Sequence, residues 1–116
     1  MTDTDMPSEQ DVRRLLNTLR RPEAVLRDPL GRLVCELTNS RTAHEAVRKL
    51  VERAFFNRGH YSMRLAQLVV RCDLDGTLSH EGVAAEMGVS PRQFYRYRTS
   101  AVQVLAYEIN SLLKSA

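Results

Sequence analysis

Two groups of residues in this chain have types and spacings suited to chemistry. The first is the acidic string Asp73-Leu74-Asp75-Gly76-Thr77, entered from the apolar run Leu68-Val69-Val70. Two carboxylates one residue apart could serve in nucleophilic or acid–base work. The second group is basic and hydroxylic: Ser90, Arg92, Gln93, Tyr95, Arg96, Arg98, Thr99 and Ser100. It lies within Gly88 to Tyr107, a stretch with three Arg and no acid. A guanidinium can reach guanine O6 and N7 together, and Gln can pair with adenine N6 and N7. The first group would make an enzyme, the second a reader of nucleic acid.

The acidic string resembles the first motif of the haloacid-dehalogenase-type phosphatases. That chemistry needs a parallel strand before the motif, a lysine, and a later acidic pair to hold Mg²⁺. Only 39 residues follow Thr77; their one lysine is Lys114, and their acids, Glu81, Glu86 and Glu108, are never adjacent. The preceding Tyr61–Arg71 segment has helical periodicity, with Leu65, Leu68, Val69 and Cys72 inward. A calcium loop fails too, for want of its third oxygen ligand and terminal Glu. The string is therefore expected to be a helix-ending turn, with Gly76 at positive φ and both aspartates solvated. No enzyme activity and no cofactor is expected.

The elements around the second group are marked more clearly. Ser79 can cap a helix with Glu81 in its first turn and Val83, Ala84 and Met87 inward, ending at Gly88. Val89 is expected to be a buried turn residue. Ser90 can cap the next helix, with Pro91 at its first position and Gln93 completing a capping box. Phe94, Tyr97 and Ala101 then face inward, which turns Arg92, Gln93, Tyr95 and Arg96 outward.

Counted from His80, a small residue stands fifth (Ala84) and a glycine ninth (Gly88). This pattern resembles a helix-turn-helix unit, and with its flanks resembles the DNA-binding region four of bacterial sigma factors and related regulator domains. The resemblance implies that the second helix enters the major groove of double-stranded DNA. Ser90, Thr99 and Ser100 would then suit phosphate contact, and His80 would begin the first helix near a backbone phosphate. Arg98 is open between phosphate contact and an ion pair. The Tyr95–Arg98 alternation could suggest stacking on single strands, but on a helix these side chains diverge.

Upstream, Met1–Pro7 reads as a flexible arm. Ser8 with Asp11 forms a capping-box signal before Val12, Leu15, Leu16 and Leu19. Pro22 opens a short turn of helix, and Asp28-Pro29 starts another with Leu30, Leu33, Val34 and Leu37. Asn39–Thr42 breaks the chain, and Thr42 with Glu45 starts a stripe through Phe55 to about Asn57. Gly59 is expected to stop that helix. The final helix carries Ala101, Val102, Leu105, Ile109, Leu112 and Leu113, either as a core face against the N-terminal helices or as a dimer seam.

The expected fold is an all-α bundle of six or seven helices. A helical part over 8–58 and a helix-turn-helix part over 59–116 would make one compact domain. At 43% apolar content the chain can fill one modest core. Of its 17 basic residues, all but Lys49 and Lys114 are Arg, and the net charge is +3. No apolar run approaches membrane-spanning length. Cys35 and Cys72 are expected to be buried free thiols in a cytoplasmic setting. Besides DNA, a homodimer and a protein partner for residues 8–58 are open. The rival function is a helical protein–protein adaptor that does not bind DNA.

Overall fold

The computed structural model describes residues 6–115. Most of the expected arm, residues 1–5, lies outside them. These residues form an all-α bundle of seven helices: α1 (Glu9–Thr18), α2 (Pro22–Arg27), α3 (Pro29–Thr38), α4 (Ala43–Phe55), α5 (His60–Val69), α6 (His80–Met87) and α7 (Pro91–Ser115). Its extents are 42 × 31 × 23 Å, and α7, at ~1.5 Å per residue, runs nearly the full length.

Local chemistry sets most helix starts. Ser8 and Asp11 form a reciprocal capping box: Asp11 N–H donates to the Ser8 hydroxyl, and Ser8 N–H to the Asp11 carboxylate. Asp28 accepts from the Leu30 amide at 2.9 Å, with Pro29 at the first helical position. Thr42 accepts from the Glu45 amide, but the Glu45 carboxylate reaches past Thr42 to the Arg41 amide. Asn39 (φ 53°) ends α3, and Lys49 Nζ donates to the Thr38 and Asn39 carbonyls at 3.0 and 3.2 Å. That ammonium satisfies acceptors the helix end leaves open.

One cluster of buried apolar side chains runs through the molecule. It takes Val12, Leu15 and Leu16 from α1 and Leu19 just after it, Val47, Leu50 and Phe55 from α4, Leu65 and Leu68 from α5, and Phe94, Val102, Leu105 and Ile109 from α7. Both the 8–58 and the 59–116 segments contribute to it. The apolar stripe of α7 is thus spent inside the chain, against α1, α4 and α5. Among the described residues no helix is long and apolar enough to cross a membrane.

Three local expectations are corrected. α4 ends at Phe55, and Asn57 (φ 64°) makes the first left-handed turn, while Gly59 (φ 105°) serves as N-cap of α5 and not as the stop of α4. Cys72 is buried but Cys35 is only half-buried; both are free thiols. Burial pushes the Cys72 thiol up to about 11.

The third correction concerns the acidic string. α5 does not stop before it but widens into a π-helical turn over Val70–Asp75, closed by Gly76 at φ 63°. Cys72, Asp73 and Leu74 are all buried there. A regular α-helix advances ~100° per residue, which fans three consecutive side chains across more than half its circumference. Here all three point inward, so Asp73 is in the core and not in solvent.

Candidate nucleic-acid interface

What Asp73 does in the core is to hold the last helix. Arg98 of α7, 4% exposed, donates to both Asp73 oxygens at 2.9 and 3.0 Å. It donates further to Asn17 Oδ1 of α1 at 3.4 Å. The parallel fork is the strong, geometrically selective form of the arginine–carboxylate pair. Burial works against the Arg98 charge, but the Asp73 bonds and field outweigh it and raise its pKa above the ordinary arginine value. Arg98, expected among the DNA-facing residues, is therefore a structural ion pair: it sits on the inner face of α7 beside Phe94 and Ala101. Its ambiguity in the sequence is resolved by a carboxylate 25 positions away.

A second arginine fastens the loop before α6. Arg20, just past α1, donates through Nε to the Cys72 carbonyl at 3.1 Å and through Nη2 to the same carbonyl. Nη2 also reaches the Leu78 carbonyl at 3.1 Å. It thereby caps the exit of the π turn, whose carbonyls lack helical partners. Arg71 grips Glu86 of α6 at 2.8 and 2.9 Å, holding that carboxyl below the usual range. Arg64 donates to the Met87 carbonyl at 3.3 Å and lies over the Tyr97 ring, 5.8 Å from its centre.

So held, α6 and α7 meet through Gly88, Val89 and Ser90. Ser79 caps α6 through the Gly82 amide at 3.1 Å. Gly88 is left-handed (φ 72°), and its amide and that of Val89 return to α6 carbonyls. The Ser90 hydroxyl accepts from the Gln93 amide at 3.1 Å. The expected capping box is only half made, because the Gln93 side chain instead donates to the Tyr97 hydroxyl at 3.0 Å. Val83 and Ala84 are buried, whereas Met87 and Val89 are half-buried. Tyr97 is half-buried as well, edge-on to Tyr61 of α5 at 5.6 Å.

On the outer side, Arg92, Gln93, Tyr95 and Arg96 are exposed, and Thr99 and Ser100 half-exposed. These six, with Tyr61 and Tyr97, line one continuous shallow surface. Arg92, Arg96 and Thr99 follow at four and three residues, one stripe of a helix. Neither arginine has a carboxylate within ion-pair distance among the described residues. His80 sits back from this stripe, its ring 5.4 Å from Phe94 and 6.4 Å from Tyr95. Burial, then the nearby Arg98 charge, holds its pKa below the ordinary histidine value.

Sequence reasoning misread Asp73 as solvated and missed Asn17, Arg20 and Arg64. Their partners lie 23 to 81 positions away. No local pattern marks those. Compared with protein-family models, with curated proteins and with solved structures, the chain finds no match.

Proposed function

We propose that this chain binds double-stranded DNA in a sequence-selective way, as a bacterial-type transcription regulator or its DNA-binding part. The N-terminal half of α7 enters the major groove, with Arg92, Arg96 and Gln93 toward base edges. Ser90, Thr99 and Ser100 serve the phosphates, and Tyr95 packs beside them. The observation that carries this reading is the outward stripe of α7: two arginines with no carboxylate within ion-pair distance among the described residues, on a helix whose inner face is anchored by Phe94, Ala101 and the Asp73–Arg98 pair. Acid at the same positions would repel the duplex.

The test is a salt titration of binding to random genomic duplex fragments. Affinity is expected to fall steeply with salt, and Arg92→Ala/Arg96→Ala to abolish selective binding while leaving the helical spectrum intact. Failure of the wild-type chain to bind duplex at low salt sinks the proposal.

One observation favours the adaptor reading. An apolar groove of about 650 Å³ opens between α2, α3 and the start of α4, lined by Leu19, Val25, Leu26 and Ala43, and Leu26 is 71% exposed. Binding there would be largely indifferent to salt, which separates it from groove reading.

A further inference from the structure

We infer that α1 forms one wall of the DNA interface, with Arg13 clamping a backbone phosphate beside the reading helix. This rests on the DNA-binding reading above and adds to it a residue from the half of the chain without a motif.

Contacts along the two helices run in opposite order. Pro7 meets Asn110 of α7, Arg13 meets Thr99, Asn17 meets Arg98, and Arg20 reaches Leu78 ahead of α6. α1 therefore lies antiparallel along α7. Arg13 Nη2 donates to Thr99 Oγ1 at 3.1 Å. Thr99 belongs to the outward stripe with Arg92 and Arg96, so Arg13 brings its guanidinium to the end of that stripe.

The neighbouring arginine shows how selective this placement is. Arg14 is neutralised on both sides, by Asp11 at 3.0 Å and by buried Asp28 at 3.2 Å. Among the described residues Arg13 has no carboxylate within ion-pair distance, and its side chain donates to the Thr99 hydroxyl alone. Of its five N–H donors, most are unused by those residues. The Thr99 oxygen, accepting from Arg13, keeps its own hydrogen to donate outward. A guanidinium and a hydroxyl side by side make a two-point phosphate grip. When a helix lies in the major groove, the flanking strands pass on either side of it. α1 is the element on one of those sides.

The experiment uses the whole chain and one mixed-sequence duplex, then several unrelated ones, with binding followed by fluorescence anisotropy across a salt series. Arg13→Ala is expected to lower the slope of log affinity against log salt by about 0.9. It is also expected to weaken every duplex by the same factor, since a phosphate carries no sequence. Arg13→Lys should keep the slope. Arg32→Ala, a cation of the α2–α3–α4 groove, should keep it also. If Arg13→Ala retains the wild-type slope while Arg92→Ala/Arg96→Ala loses binding, the α1 clamp is wrong and the DNA reading stands. If Arg32→Ala lowers the slope as much as Arg13→Ala, the effect is general charge, and the clamp is again overturned. If the wild-type chain shows no salt-dependent binding, both fall together.

Discussion

Arg98 is a charge kept out of water by everything around it, and Asp73 is the carboxylate that makes this tolerable. Removing one member of a buried pair typically costs about 3–5 kcal/mol, because the other is left uncompensated. Asp73→Ala is expected to lose that much in a urea melt. The double replacement Asp73→Leu/Arg98→Met should recover most of it, since no unpaired charge remains. A loss under about 1 kcal/mol for Asp73→Ala would show that water reaches the pair. His80 gives the pH counterpart. Its folded pKa is lowered below 6.5, so the unfolded chain binds the proton more readily. Its contribution is complete above the unfolded value and fades as pH falls through the folded one. Stability measured at descending pH from 7 should drop in that window, and His80→Phe, which keeps a ring against Phe94 and Tyr95, should lose that part of the drop.

At the scale of elements, turns carry what single residues cannot. A methyl added at Gly88 would meet nothing within 4 Å, but its φ of 72° is one L-residues avoid. Gly88→Ala is expected to cost about 1–2 kcal/mol from backbone strain alone, readable as a lowered thermal midpoint. These turn signals were the legible part of the molecule. Ser8–Asp11, Asp28–Pro29, Ser79, Gly88 and Ser90–Pro91 each act on amides within a few residues, so the sequence displays cause and effect together. The π turn had no such mark. The π turn carries Asp73 to its partner Arg98, which lies a further 25 positions along. The same reason hid Arg13: an amphipathic pattern says which face of α1 is buried, not which helix its flank adjoins.

At the scale of the whole molecule, the 8–58 and 59–116 segments share one core. α7 buries Val102, Leu105 and Ile109 against side chains that include those of α1 and α4. A fragment of residues 59–116 keeps the helix-turn-helix but loses that cover, exposing several large apolar side chains at about 1.5–3 kcal/mol each. It is expected to show weak helicity by circular dichroism and no cooperative melt. A cooperative transition in that fragment would make the two segments separate folding units.

The anchoring of α7 by the Asp73–Arg98–Asn17 contact also has a kinetic consequence. α7 cannot loosen at this point without breaking the buried Arg98–Asp73 bonds. Amide protons of Phe94 to Ala101 should therefore exchange with solvent only when the entire domain opens, at the slowest rate in the molecule. The part of the protein that would meet DNA is then a rigid stylus rather than a loop that orders on arrival. Its association should be limited by encounter and orientation, with no slower rearrangement following.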